Sequence, residues 1–315
     1  MLETANILVT GGAGTLGRAI ARRRKEDGWT GRMTVYSTDD HKHELMKRMY
    51  PDVGFIQGDI RNAETIYNAM VGMDVVLHLA AVKVIPTSEI ASMDTIDVNV
   101  LGSEVVCACA HRAGIQHVLG ISTDKACHPA NAYGASKYLM EKVFQEYARY
   151  YEFPRYHLVR YGNVLESTGS VIEVWKKANE DHKPIRMTDP EMTRFWLSPS
   201  QAVKFLIDGM NVPPGCIYIP KVPALSIGKL AEYALNSLVD RAVERVPLRP
   251  GEKMHETLLT LEETWYTATW DRDNQEGYVL RPTTSARNGI PSGSPYTSDM
   301  TRQLTQTELL ELLND

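Results

Sequence analysis

Cysteine is scarce: the 315-residue chain holds four, Cys107, Cys109, Cys127 and Cys216. Four are too few for a disulfide framework, and their spacing matches no zinc motif. Cys107 and Cys109 fall in an apolar helical stretch and are expected to fill core space. A reducing cytoplasm suits such a chain. Long apolar runs are lacking too, so no segment reads as a bilayer span and no membrane partner is expected. The opening MLETANILVTGG runs straight into a strand pattern without a secretory or transit signal. There is no basic excess: the formal charge of −5 leaves no footprint for nucleic acid. A local cleft can still be positive and take an anionic ligand. The histidines, including His78, His117 and His128, have no metal spacing, so core or surface places are expected for them and no metal.

What is present is alternation. Short apolar strands at 6–10, 32–37, 53–57, 75–81 and 117–122 are separated by helical stretches at 15–26, 42–49, 63–70, 95–113 and 133–151. This predicts an α/β fold with a doubly wound, Rossmann-type parallel sheet, whose ligands lie beyond the carboxyl ends of the strands. After about residue 162 recurrent prolines break long elements, and helical stretches remain near 170–180, 200–210 and 226–239. The expected division is a dinucleotide-binding domain over 1–162 and a smaller α+β substrate-binding domain over 163–315. The chain is expected to cross back to the first domain around 185–210. The segment 285–299 reads as a polar loop, and the tail as a short helix capped by Thr307.

TGGAGTLG at 10–17 supplies Gly11, Gly14 and Gly17 between a strand and a helix. Glycines there let backbone approach a pyrophosphate, and the helix N-terminus favours its charge. The second strand ends in YSTDDHK. Ser37 and Lys42 suit a 2′-phosphate, whereas Asp39 would repel one. Asp59, after the third strand, suits the adenine; a cap for the helix beginning at residue 62 is an equal alternative.

STDKACHPANAYGASK, residues 122–137, sets Asp124 beside Lys125 and puts Tyr133 and Lys137 four apart on one helix face. A phenol with a pKa of about 10 needs help worth about 4 kcal/mol to ionise near neutrality. A neighbouring ammonium and a nicotinamide cation favour the charged form. Thr123, at the end of the fifth strand, is placed to hydrogen-bond the oxygen that Tyr133 deprotonates. A simple alcohol dehydrogenase would need no more than Tyr133 and Lys137, so Asp124 and Lys125 point to a further reaction.

TGGAGTLG, AAVKVIP, STDKA, NAYGASK, VRYGNV, GSVI, MTRFW and RPGEKMHE, spread over nearly the whole chain, resemble the extended short-chain dehydrogenases/reductases. Among these they are most similar to the soluble, CapD-like inverting UDP-N-acetylglucosamine 4,6-dehydratases. The resemblance implies oxidation at C4 with Tyr133 as base, removal of the C5 proton by Lys125, and protonation of the departing C6 hydroxyl by Asp124. Lys125 would then have to be neutral, through burial or the nearby Lys137, and Asp124 would have to be held protonated by a dry site. Relatives that retain C5 configuration carry glutamate at the lysine position, so Lys125 implies inversion.

The resemblance also implies a recycled NADP, with NAD as the alternative, held by Gly11, Gly14, Thr15, Leu16, Gly17, Ser37, Thr38, Lys42, Asp59, Ile60, Ala80, Ala81, Tyr133 and Lys137. Thr38 departs from the family's arginine, which weakens the case for a 2′-phosphate. Arg194 and Arg249 suit a diphosphate, Glu252 a ribose hydroxyl, and Asn163 and Lys83 the sugar end. The expected partner is a UDP-sugar, and the expected assembly a homo-oligomer serving synthesis of surface glycans or pseudaminic-acid-type sugars. Competing readings are a UDP-hexose 4-epimerase, a secondary-alcohol dehydrogenase and a non-catalytic nucleotide sensor.

Overall fold

The computed structural model describes residues 2–165, 167, 170–235, 243–272, 275–282 and 293–315. The apolar stretches of the first half form six parallel strands: β1, Ile7–Thr10; β2, Met33–Ser37; β3, Gly54–Gln57; β4, Val75–His78; β5, His117–Thr123; and β6, Arg155–Tyr161. They lie in the order β3-β2-β1-β4-β5-β6. All four residues of β1 are buried, as expected of a strand covered on both faces. The strand order reverses between β1 and β4, which opens a crevice at their carboxyl ends. The region expected as one strand over 75–81 ends at His78, because the chain leaves the sheet there toward the crevice.

Helices α1, Thr15–Glu26, α2, Asp40–Met49, and α3, Ala63–Met70, follow the first three strands. Asn62, not Asp59, caps α3, its side chain accepting from the Thr65 amide. The short α4, Ile85–Ile90, follows β4. The helix expected over 95–113 is interrupted. α5, Ser92–Ile96, passes through a π-turn at Asp97–Leu101 into α6, Gly102–Ala113. Such single π-turns widen a helix and re-aim one side chain, here the buried Asn99. α7, Ala132–Tyr150, carries the Tyr133 and Lys137 pair.

Beyond β6 the chain alternates between two bodies of structure. Asn163–Val164 pairs with Thr193–Leu197, which also pairs with Ala224–Ser226. The helix Pro199–Gly209 returns to pack on α1, and Ile217–Pro220 extends the large sheet parallel to β6. An antiparallel pair, Gln275–Leu280 and Thr267–Arg272, completes that sheet at nine strands. The remaining elements enclose a second apolar cluster that includes Trp175, Trp196 and Leu230. The helix expected over 226–239 is described as Ile227–Leu235, and much of the loop expected over 285–299 lies outside the described residues. The tail helix, Gln306–Leu313, is capped by Thr305 rather than Thr307. Glu308, three residues after Thr305, reaches back to its amide and completes a reciprocal cap that Thr307 has no partner to make.

A buried ion triad fastens the two halves. The Arg160 guanidinium, on β6, meets Glu141 of α7 at 2.7 Å and Glu263 of the C-terminal half at 2.9 Å. All four cysteines are free and buried, in keeping with a core role. Among the described residues no helix is long and apolar enough to cross a membrane. None of the His, Cys, Asp and Glu side chains described there cluster to hold a metal ion.

Candidate active site

A cavity of about 700 Å³ opens at the carboxyl ends of β1, β4 and β5. Its walls include Gly11, Gly14, Thr15, Leu16 and Gly17 from the loop after β1, and Ser37, Thr38 and Lys42 from the corner after β2. Asp59, Ile60, Ala80, Ala81 and Lys83 line it from the loops after β3 and β4, and Thr123, Lys125, Tyr133, Lys137 and Asn163 close the far end.

The loop's glycines do separate jobs. A Cβ on Gly17 would lie 1.8 Å from the Gly12 carbonyl oxygen, so Gly17 lets α1 start against the loop. Gly11 has φ +65°, and a Cβ there would lie 2.7 Å from Ala80 Cα. Gly14 meets nothing closer than the Gly11 oxygen at 3.5 Å, and no side chain caps α1 there. Its open surface and the helix N-terminus fit a pyrophosphate. The corner after β2 is already paired: Asp39 caps α2 and holds the Lys42 ammonium at 2.7 Å, while Ser37 Oγ bonds His43 Nε2 at 2.6 Å. Asp59 accepts both arms of the Arg61 fork, and that fork, beside Asp94, holds its carboxyl below the usual range.

The catalytic turn is built where β5 meets α7. Thr123 caps a 3-10 turn, Asp124–Ala126, by accepting from the Lys125 amide. A Cβ on Gly134 would lie 2.2 Å from the Lys125 carbonyl oxygen, so glycine lets α7 press on that turn. The hydroxyl of Thr123 is hydrogen-bonded to the Tyr133 phenol and donates to Asp124 Oδ1 at 2.7 Å. Lys125 Nζ donates to the same oxygen at 3.0 Å. Asp124 is fully buried behind Thr123 rather than on the cavity wall, and its Oδ2 has no hydrogen-bond partner.

Two expectations about protonation are corrected. Lys125 is not pushed toward neutrality. Burial alone would lower it, but the carboxylates of Asp124 and Glu256 outweigh burial and the repulsion from Arg194, and hold the ammonium above its ordinary range. Tyr133 is likewise raised by burial, more than Lys125 and Thr123 lower it. Lys137 behaves as a buried amine should: burial brings it down to about 8 against the pull of Glu141.

Three further residues join the site without having been singled out in the sequence. Asn99, turned inward by the π-turn, grips both the amide and the carbonyl of Val82 at 2.8 Å and donates to Ser136 at 2.9 Å. It thereby fixes the loop holding Ala80 to Lys83. His43 holds Ser37. Glu256, from the end of RPGEKMHE, lies 3.7 Å from Lys125 Nζ and 3.8 Å from Arg194 Nε. Periodicity would have marked Asn99 as an ordinary helix position; only the π-turn, invisible in the sequence, aims it.

The substrate candidates divide. Asn163 meets Lys125 at 3.4 Å on the cavity wall. Arg194 is buried beside Glu256 and Glu252 and binds the carbonyls of Thr193 and Met254. Glu252 accepts from the Arg249 amide, but Arg249 itself is exposed and does not line the cavity. The loop that carries them is tied to α7 by Asn131, which donates to the Gly251 carbonyl at 3.0 Å.

Residues 7–274 match the model of a family described as polysaccharide biosynthesis protein. The inverting UDP-N-acetylglucosamine 4,6-dehydratase of Campylobacter jejuni is 31% identical over 332 residues, covering 100% of this chain and 98% of that one. A UDP-glucose 4-epimerase of Rickettsia conorii is 34% identical over 333 residues, covering 99% and 96%. Among solved structures, Pen from Bacillus thuringiensis superposes with a TM-score of 0.90 at 26% identity, over 100% of this chain and 98% of that chain. The fold is shared with DesIV, a dTDP-glucose 4,6-dehydratase of Streptomyces venezuelae solved with NAD, at a TM-score of 0.71, 22% identity and 79% and 86% coverage. With its Rossmann sheet, its glycine loop and its Tyr133 and Lys137 pair on one cavity, the chain belongs to the polysaccharide biosynthesis protein family of short-chain dehydrogenase/reductase-like enzymes.

Proposed function

We propose that this protein is a UDP-N-acetylglucosamine 4,6-dehydratase that inverts C5, releasing the 4-keto-6-deoxy sugar. One observation carries the reading: Tyr133, Thr123, Asp124 and Lys125 form one unbroken set of contacts at the end of a dinucleotide-shaped cavity. A dehydratase needs a base at C4, an acid at C6 and a base at C5, and these side chains are the three groups. When bound, a nicotinamide ring supplies the electron acceptor at C4 and returns the same electrons at C6. Gly14, the start of α1, and Lys137 are the residues that would hold the dinucleotide.

The contacts also account for the protons. Transfer from Tyr133 to Thr123, and from Thr123 to Asp124, leaves a phenolate and a carboxylic acid in one move. Tyr133 then takes the C4 hydroxyl proton, and Asp124 gives its proton to the C6 hydroxyl as it leaves. The proton from C4 thus ends in the released water, and the pair returns to its starting state. Lys125 removes the C5 proton, Asn163 steadies its amine, and Arg194 takes the diphosphate.

At the ribose corner the Asp39 carboxylate, already holding Lys42, opposes a 2′-phosphate. We therefore put NAD ahead of NADP. The product suits synthesis of surface glycans or pseudaminic-acid-type sugars.

Incubation with UDP-N-acetylglucosamine in heavy water tests the reading. The sugar should lose one water and take deuterium at C5. The second reading, a UDP-hexose 4-epimerase, is favoured by the Rickettsia conorii relative. It requires an epimer of unchanged mass, and that product would reject the dehydratase.

A further inference from the structure

A base at C5 must be neutral when it acts, yet Lys125 sits among anions. Its Nζ has Asp124 Oδ1 at 3.0 Å and Glu256 Oε1 at 3.7 Å, with Asn163 Oδ1 at 3.4 Å. Arg194 and Tyr133 are the other ionisable groups that face it. The ammonium therefore needs a nearby acceptor for its proton before it can work. Asp124 is engaged by Thr123 and is needed as the acid. Glu256 is different. It is 3% exposed, it faces Lys125 on one side and Arg194 on the other, and its second oxygen, Oε2, is buried without a partner.

Resting on the dehydratase reading above, we propose that Glu256 is a positioning residue that acts through Lys125, sharing one proton with it and holding that proton while the amine takes the one on C5. The step balances. An N–H bond of Lys125 breaks and an O–H bond forms on Glu256, leaving a lone pair on Nζ. Nζ then bonds the C5 proton, and the C5–H electron pair becomes the C5–C6 double bond as the C6–O bond breaks. The pair now holds one proton more than at rest, and it loses that proton as C5 is reprotonated.

The arrangement has a kinetic signature that a structural role would not produce. Two groups that share one proton keep a constant fraction of neutral amine across the pH range between their joint titrations. A lone lysine gains neutral amine tenfold per pH unit until it titrates. Glu256→Gln keeps the shape of the side chain and removes the acceptor. At pH 7 its kcat should fall at least about 100-fold. It should then rise about tenfold per pH unit to pH 9 or above, while the wild type stays level. Its KM for UDP-N-acetylglucosamine should stay within about twofold, and deuterium entry at C5 should fall with kcat. Glu256→Asp, which keeps an acid, should have a level profile at reduced kcat. A level profile in Glu256→Gln, or a steep one in Glu256→Asp, overturns the inference, and Glu256→Asp decides if the Gln variant does not fold. Wild-type protein in the same assay separates the two claims. If it loses no water the dehydratase reading fails, whereas wild-type turnover with an unaltered Gln variant rejects Glu256 alone.

Discussion

Thr123 donates its hydroxyl hydrogen to Asp124 across 2.7 Å while bonding the Tyr133 phenol, so a base and an acid on different sugar carbons share one hydroxyl. Removing that hydroxyl should uncouple them. Thr123→Val keeps the β-branched shape and should lower kcat by about 10²- to 10⁴-fold, the range of a lost proton-transfer group. Asp124→Asn should act later in the reaction. It keeps Tyr133 able to deprotonate C4 but cannot protonate the leaving hydroxyl. In a single turnover it should build up absorbance of reduced cofactor and a 4-keto sugar of undiminished oxygen content. If Asp124→Asn loses water as fast as wild type, Asp124 is not the acid.

The alternation of apolar strands and helices was enough to read the Rossmann half, because period and glycine placement are local properties. β1 to β5 and α1 to α3 lie where local pattern puts them, within a few residues. The strands β6 and Ile217–Pro220 were not picked out, because they join the sheet only after the chain has left and returned. The catalytic set was legible for the same reason as the strands: four of its five members lie within one 16-residue stretch. Glu256 was not, since it comes to Lys125 from 131 positions away, and no local pattern records that approach. Protonation was the least legible. Lys125 and Lys137 are both buried lysines of the same region, yet they shift in opposite directions, because two carboxylates face the first while burial outweighs Glu141 at the second.

The triad of Glu141, Arg160 and Glu263 sets a stability test. Its guanidinium is fully buried and holds both carboxylates, so deleting it strands two buried anions. Arg160→Met should destabilise the protein by about 3–5 kcal/mol, measured as a shift in urea midpoint at constant slope. Replacing all three with apolar residues should recover much of that loss, because no unpaired charge remains. A triple variant no more stable than Arg160→Met would show that the charges are not what the single change exposes.

The pairing of Asp39 with Lys42 makes cofactor choice testable at one carboxylate. Asp39→Asn keeps a helix cap on α2 but removes the negative charge beside the ribose. The ratio of NAD to NADP affinity should fall about tenfold in the variant, a change of about 1.4 kcal/mol. Calorimetric binding of each dinucleotide checks it, and an unchanged ratio would remove Asp39 from the discrimination.

Lys137 is held at about 8 by burial, below its ordinary 10.5, so its charge weakens the folded state when no dinucleotide is bound. Between these values the unfolded chain binds more proton than the folded one, so stability rises with pH across that window. Below about pH 8 both states are protonated and the penalty is present in full; above 10.5 both are neutral and it is gone. The gap corresponds to about 3 kcal/mol. Lys137→Met, which buries a neutral chain of similar size, should therefore be more stable than wild type at pH 7 when no dinucleotide is added. It should lose turnover at least about 100-fold, because Tyr133 and the dinucleotide lose their cation. Other lysines and tyrosines titrate in the same alkaline range, so the informative quantity is the difference between variant and wild type. That difference should shrink steadily from pH 8 to 10 in paired urea titrations. An advantage that stays constant over this range would mean that Lys137 enters the fold already neutral, and its charge could not then assist Tyr133.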